Sequence, residues 1–495
     1  MTKKVIVIGS GFAGLSAATN LAHKGFEVTI LEKNDQPGGR ARSFSVDGYT
    51  FDMGPSWYWM PDVFENYFGL FGKKVSDYYQ VTRLDPSYRV FFGENDFVDL
   101  PASLKKLYAL FEEIEPGSGE KLESFLAESA YKYETGMKDL VYMPGRKISE
   151  LADMRIVKGL FQLHLLKSMR SYVYSHFSNS RLRQIVEFPI LFLGGTPQNT
   201  PALYSLMNYA DMSLGTWFPK GGMTEIVKAM VQLAKDKGVR ILLNEEVKSF
   251  QFENGKISAV HTTNEIYDAD VIVAGADYHH VEQQLLPKQY RQYSPSYWEK
   301  RKLAPSSLLF YLGVNKKIKG LLHHTLFFDA NFDEHADEIY KDPKWPTTPL
   351  FYASCTSKTD DSVAPEGCEN IFLLMPVAPG LKDDIFTREK YYELMMDRLE
   401  TLTGESIKDH VVYKRSYAQK DFIDDYHSFK GNAYGLANTL TQTAILKPGM
   451  KSKKVENLYY TGQLTVPGPG VPPALISGQV VAQEVEKEQL KKQRA

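Results

Sequence analysis

The apolar and polar positions at the start of the chain read as strand, turn, helix, strand. Val5-Ile6-Val7-Ile8 is a short continuous apolar run, the pattern of a buried strand. Gly9-Ser10-Gly11-Phe12-Ala13-Gly14 interrupts it, residues 16–24 carry good helix formers, and Glu27-Val28-Thr29-Ile30-Leu31 reads as a second buried strand. Over 103–115, Leu104, Leu107, Tyr108, Phe111 and Ile114 share one helical face. Pro116-Gly117-Ser118-Gly119 breaks that helix, and Leu122, Phe125, Leu126 and Tyr133 resume the pattern. Segment 155–177 mixes Ile156, Leu160, Phe161, Leu165 and Met169 with Arg155, Lys158, Lys167 and Arg170. It is either a core helix with a solvated basic edge or a helix lying in a lipid interface. Residues 237–243 read as a strand after a helix. Phe250-Gln251-Phe252 and Ile257-Ser258-Ala259-Val260 flank Asn254-Gly255 as a hairpin, and Asp270-Val271-Ile272-Val273-Ala274-Gly275-Ala276 returns as a buried strand.

The first glycine cluster has a specific chemical use. Gly9 makes the tight turn, Gly11 lets a pyrophosphate approach the backbone, and Gly14 permits close strand–helix packing. The helix start offers free N–H groups and a positive dipole end to phosphate. Glu32, 18 residues beyond Gly14, stands where a carboxylate accepts ribose hydroxyls. Strand, helix and acid in register predict a bound dinucleotide.

Two further segments point to FAD rather than NAD. Pro37-Gly38-Gly39-Arg40 is a second glycine turn, with an arginine suited to phosphate or flavin oxygens. Near the other end, Asn457-Leu458-Tyr459-Tyr460-Thr461-Gly462-Gln463 reads as a strand entering a turn. Residues 468–478 follow as another glycine turn at a helix entry, and residues 479–489 have helix character. Cofactor segments at both ends mean that the chain returns to its first domain, as a flavin site requires.

Charge and composition narrow the partners. The 58 Lys+Arg and 60 Asp+Glu nearly cancel, which argues against nucleic acid. The 30 Tyr and 28 Phe suit either an aromatic core or a large apolar binding surface. Cys355 and Cys368 form neither a C-x-x-C pair nor a zinc set, so no metal is expected and a reducing cytoplasm fits. The strand at 5–8 leaves no room for a signal peptide. The uncharged runs 188–210 and 457–483 are broken by glycine and proline, so neither is expected to span a bilayer.

Taken in order, several segments resemble bacterial-type carotenoid (phytoene) desaturases, within the amine oxidase-like flavoproteins. They are Gly38-Gly39-Arg40, Phe51-Asp52-Met53-Gly54-Pro55-Ser56, Phe192-Leu193-Gly194-Gly195-Thr196-Pro197 and Trp217-Phe218-Pro219-Lys220-Gly221-Gly222-Met223. His323-His324-Thr325, Ala364-Pro365-Glu366-Gly367-Cys368 and Pro467-Gly468-Pro469-Gly470-Val471-Pro472 complete the set. The resemblance covers nearly the whole chain. It implies an α/β fold: a Rossmann-like FAD-binding domain (1–75, 220–300 and 440–495), a mixed-sheet substrate domain (76–100 and 301–439), and a helical, membrane-facing part (101–219). It also implies that Gly9, Gly11, Phe12, Ala13, Gly14, Glu32, Lys33, Gly39, Arg40, Met53 and Gly54 touch FAD. Val247 would pair with the adenine, and Gly462, Gln463, Gly470 and Val471 would lie beside the flavin ring.

What the resemblance implies for function is desaturation of an acyclic C40 carotenoid, by hydride transfer to flavin with loss of a proton from the neighbouring carbon. Val466 stands where phytoene desaturases often carry histidine, and Pro469 where they carry a small residue. Both departures favour the 1-hydroxycarotenoid 3,4-desaturase branch. The enzyme would work peripherally on the cytoplasmic side of a membrane and pass electrons to a quinone or to oxygen. Trp57, Trp59, Trp217 and Phe218 either line a polyene tunnel or pack the core. His323 and His324, expected on opposite faces of a strand, are assigned structural roles, and no catalytic base is assigned. The rival functions are a flavin-dependent carotenoid isomerase, an amine or porphyrinogen oxidase, and a non-enzymatic prenyl-protein escort of the same fold.

Overall fold

The computed structural model describes residues 2–145, 167–439 and 441–494. Its first helix, Phe12–His23, packs between a parallel sheet and the last helix, Val471–Arg494. That sheet has five strands in the order Leu458–Tyr460, Val271–Ala274, Lys4–Ile8, Glu27–Leu31, Arg240–Leu242. All four pairings are parallel. Both faces are covered, which is why the central strands are continuous apolar runs rather than alternating ones. Val5, Val7, Val271, Ile272 and Val273 have no exposed surface at all.

The Asn254-Gly255 hairpin forms as its sequence indicates. Both turn residues have positive φ, 49° and 77°, and Val247–Glu253 pairs antiparallel with Lys256–Thr262. Helices Leu104–Ile114 and Ser118–Thr135 also form, and Gly117 at φ 83° supplies the left-handed residue between them. Of the basic segment expected over 155–177, positions up to 166 lie outside the described residues. Its end contributes the short helix Met169–Tyr174.

A seven-stranded mixed sheet forms the second layer, in the order Val411–Tyr417, Ser306–Val314, Glu369–Val377, Phe351–Ser354, His324–Phe327, Tyr88–Gly93, Asp96–Leu100. Only His324–Phe327 and Tyr88–Gly93 pair in parallel. One face of this sheet buries Phe310, Leu312 and Leu373 under helix Ile385–Thr403. Alternate residues, Leu309 and Phe372, join the core that includes the first helix. The two sheets thus meet across a cleft. Among the described residues, no helix is long and apolar enough to cross a membrane.

The contact between first and last helices depends on Gly478. A methyl carbon there would lie 2.4 Å from the Ala13 carbonyl oxygen and 2.6 Å from Ser16 Cβ. The Ser16 hydroxyl donates to the Leu475 carbonyl at 2.7 Å, so the helices cannot separate cheaply. Gly478→Ala is expected to destabilise the protein by about 2 kcal/mol, read as a lowered midpoint of thermal unfolding.

Candidate active site

The cleft holds a cavity of about 370 Å³ that runs from Glu32 and His427 at one end to Trp59 and Phe372 at the other. Its first wall is the turn after strand Lys4–Ile8. Gly9 has φ 91° and donates its N–H to the Leu31 carbonyl at 2.8 Å, which ties the turn to the second strand. Gly14 does not line the cavity: a methyl there would sit 2.0 Å from the Gly9 oxygen, so its role is strand–helix contact. Gly11 faces the open space, with no atom within 4 Å of a methyl built on it. No side chain caps the helix and no acid stands in its first turn, so its N–H groups and dipole point unopposed into the cavity. Gly39, at φ 56°, brings the second glycine turn to within 3.2 Å of Gly11 Cα, measured from a methyl at Gly39.

Glu32 is held before any ligand arrives. One carboxylate oxygen accepts from Ser10 N–H at 2.8 Å and Ser10 Oγ at 2.6 Å. The other accepts from the Asn34 backbone at 2.9 Å and its amide at 3.0 Å. Lys33, Phe12, Ala13 and Val247 line the same end. Opposite them, His427 Nε2 lies 2.9 Å from Glu246, and its ring stacks on His280 at 4.0 Å. Burial, and the neighbouring His427, push His280 down to about 3, which leaves that ring neutral.

Arg40 marks the middle of the cavity. It bonds the Ser428 hydroxyl and, at 3.3 Å, the Asn432 carbonyl, while its Nε has no partner among the described residues. Burial lowers its pKa, offset by Tyr426 and Asp277. A buried guanidinium with an unused donor is costly unless an acceptor completes it. Gly54 lies against it, since a methyl there would be 2.6 Å from the Arg40 carbonyl oxygen. On the far side, Gly462 N–H donates to Ser477 Oγ at 2.9 Å, and Ser477 Oγ donates to the Val466 carbonyl at 2.8 Å. With its amide oxygen toward Arg40, Gln463 accepts from Nη2 at 2.9 Å. Gly470, at φ 112°, and Val471 open the last helix beside them.

The remaining half of the cavity is mostly apolar. Trp57, Trp59, Met53, Met207, Leu309 and Phe372 line it, joined by the hydroxyls of Ser56, Ser307, Tyr352 and Tyr434. Trp217 and Phe218 are not brought to it. Trp217 donates Nε1–H to the Leu214 carbonyl at 2.9 Å, and Phe218 packs edge-on against His323 at 4.5 Å. Sequence reasoning missed Ser307, Leu309, Tyr352 and Phe372, on strands of the mixed sheet, and the loop residue Tyr434. Each is one position in a long buried strand or loop, with no local signal to separate it from core.

His323 precedes strand His324–Phe327, so strand alternation does not separate the two rings. They meet edge to face at 4.5 Å, both buried. His324 Nδ1 is 2.6 Å from the Tyr352 hydroxyl, on the cavity wall.

A helix N-terminus free of side chains, glycines where a side chain would enter the open space or clash, a preset carboxylate and an unsatisfied arginine fit the pyrophosphate and ribose of FAD. Fold and cavity define an FAD-dependent oxidoreductase. The sequence model described as flavin containing amine oxidoreductase matches residues 12–486. A carotenoid 3,4-desaturase of Haloarcula japonica is 43% identical over 97% of each chain. A zeta-carotene-forming phytoene desaturase of Myxococcus xanthus is 32% identical, over 98% of this chain and 94% of its own. The chain belongs to the flavin-containing amine oxidoreductases, in their bacterial-type carotenoid desaturase group. Among solved structures, a putative protoporphyrinogen oxidase from Exiguobacterium shares the fold. Its TM-score is 0.60 at 14% identity, over 99% of this chain and 100% of its own.

Two outcomes follow from this geometry. Gly11 has φ −68°, so a larger residue is not strained there. Gly11→Trp is expected to fold with an unchanged melting point in the flavin-free state, yet to purify without flavin absorbance. Behind the terminal loop, Lys447 Nζ is buried without a partner among the described residues, 2.7 Å from a methyl built on Gly468. Burial pushes Lys447 from its ordinary 10.5 down to about 7. The unfolded chain therefore holds more protons between about pH 7 and 10.5, and stability rises with pH across that window. Lys447→Met is expected to be more stable at pH 7 by about 1–3 kcal/mol and to lose that slope, read by denaturant unfolding at several pH values.

Proposed function

We propose that the protein is an FAD-dependent carotenoid desaturase that introduces a C=C bond near the end of an acyclic C40 carotenoid. The observation that carries this reading is the joining of two surfaces in one cavity. A dinucleotide cradle at Gly9, Gly11, Glu32 and Arg40 runs into a wall of Trp57, Trp59, Leu309 and Phe372. A polyene has no charge to grip, so apolar and aromatic surface is what binds and orients it. The 3,4-position is favoured by the 43% identity to the Haloarcula japonica enzyme and by Val466 and Pro469.

Bound FAD supplies the hydride acceptor. The residues present would hold it as follows. Gly11 and the start of helix Phe12–His23 meet the pyrophosphate, Glu32 the ribose, Val247 the adenine, and Gly462, Gln463, Gly470 and Val471 the ring. The chain's other contribution is exclusion of water, through the buried aromatic wall.

In this reading the cofactor part comprises 1–75, 220–300 and 440–495, the substrate part 76–100 and 301–439, and a helical part, 101–219, faces the membrane. Support comes from the parallel sheet, whose strands come from the three cofactor stretches. A water-insoluble substrate argues for peripheral action at a membrane, and the free cysteines Cys355 and Cys368 fit its cytoplasmic side. The electrons pass to a quinone or to oxygen.

The test is an anaerobic absorbance spectrum of the holoprotein with acyclic carotenoids in liposomes, with and without an end hydroxyl. Flavin bleaching with a red-shifted polyene is expected, fastest with the hydroxylated substrate. Bound flavin that no carotenoid reduces, with isomerised product, would identify the isomerase instead.

A further inference from the structure

Four hydroxyls stand in the apolar half of the cavity, and they are not equally used. Tyr352 donates to Ser56 Oγ at 3.0 Å and, with its proton spent, accepts from His324 Nδ1 at 2.6 Å. That pair is complete. Ser307 and Tyr434 are not. Ser307 Oγ is buried and makes no hydrogen bond of ordinary geometry among the described residues. The Tyr434 hydroxyl has that same serine as its polar neighbour.

The fold builds this second pair. Ser307, on strand Ser306–Val314, shares the cavity-facing side with Leu309. Residues 433–435 run beside the start of that strand. Ala304 N–H donates to the Gly435 carbonyl at 2.8 Å, and Ala433 N–H to the Pro305 carbonyl at 3.3 Å. Tyr434 is thereby fixed against the strand end. The same segment is pressed on Gln463: a methyl on Gly435 would lie 2.6 Å from the Gln463 carbonyl oxygen. With its amide oxygen toward Arg40, Gln463 also donates to the Tyr434 carbonyl at 3.3 Å. Burial pushes the Tyr434 hydroxyl up to about 12, and Ser307 offsets part of the rise, as a donor to the tyrosine oxygen does. Tyr434 then keeps its own proton to give to a ligand.

We propose that Tyr434, backed by Ser307, is the receptor for a hydroxyl at the end of the carotenoid and so sets substrate preference. This rests on the desaturase reading above. The Ser307 hydroxyl turns to Tyr434, and the Tyr434 O–H donates to the substrate oxygen. The position suits the chemistry. A hydroxyl on the first carbon is two carbons from a 3,4-bond, so its receptor must lie close to the flavin ring. Tyr434 lies against Gln463, which that reading gives to the ring. The remainder of the polyene offers no polar group, and Trp57, Trp59, Leu309 and Phe372 are all it needs. A hydroxyl left unpaired in an apolar cavity costs free energy. A substrate without the end hydroxyl leaves Tyr434 in that state and is rejected on that account. Tyr434 touches the substrate, whereas Ser307, buried behind it, is a positioning residue.

The experiment is rapid anaerobic mixing of the holoprotein with liposomal acyclic carotenoids, one with an end hydroxyl and one without. The rate of flavin bleaching per unit substrate is read as a ratio between the two. The wild type is expected to favour the hydroxylated substrate by about 30-fold. Tyr434→Phe removes one oxygen and should bring that ratio to about one. Ser307→Ala should lower it part way, to about 5-fold, and the double variant should match Tyr434→Phe. Each variant is its own control, because a general loss of flavin or stability slows both substrates alike. A ratio that survives intact in either single variant overturns the assignment, as does a wild type without preference, and both leave the desaturase reading standing. A wild type that neither carotenoid bleaches overturns the desaturase reading, and the receptor with it.

Discussion

Everything in this molecule hangs on how closely its first helix can approach its neighbours. Helix Phe12–His23 begins immediately after strand Lys4–Ile8, and it can lie against that strand only because Gly14 has no side chain to meet the Gly9 carbonyl. On its other flank, Gly478 does the same for the last helix, Val471–Arg494. These approaches bring the two ends of a 495-residue chain together. They also leave the first helix's N-terminus uncapped and pointed into the cleft, so the packing that stabilises the domain also turns unopposed N–H groups toward open space.

The cleft changes character along its length because two different sheets wall it. The parallel sheet contributes strand ends and turns, where backbone N–H groups and short polar side chains gather. The mixed sheet contributes a face, where successive side chains stand perpendicular to the strands and bring Leu309, Tyr352 and Phe372 side by side. A charged cofactor and an apolar substrate can therefore lie end to end without either surface compromising the other. Arg40 sits at the junction, half-buried, with its Nε buried and unbonded among the described residues. Such a group is tolerated where a ligand completes it.

Reading the histidine pair illustrates how register decides chemistry. Treated as two consecutive strand residues, His323 and His324 should diverge, and a shared role looks improbable. The strand in fact starts at His324, so the alternation rule does not reach His323, and the rings touch. What gives His324 its contact with Tyr352 is the antiparallel pairing of two strands 28 residues apart in sequence. No local pattern contains that information.

The sequence by itself determined the glycine-turn half of the cavity. Strand, glycine turn, helix and Glu32 are contiguous, and their spacing follows from backbone sterics that tolerate only glycine at Gly9 and Gly14. The second glycine turn and the terminal Gly462 and Gly470 were legible for the same reason, and the Asn254-Gly255 hairpin by its turn chemistry. Only the tertiary structure decided the aromatic half of the cavity. Trp57 and Trp59 reach the cavity while Trp217 and Phe218 do not, although all four are aromatic residues in neighbouring motifs. Which face of a buried strand meets open space, rather than another layer of core, is set by the packing of distant segments. Apolar residues look the same in sequence whichever they meet.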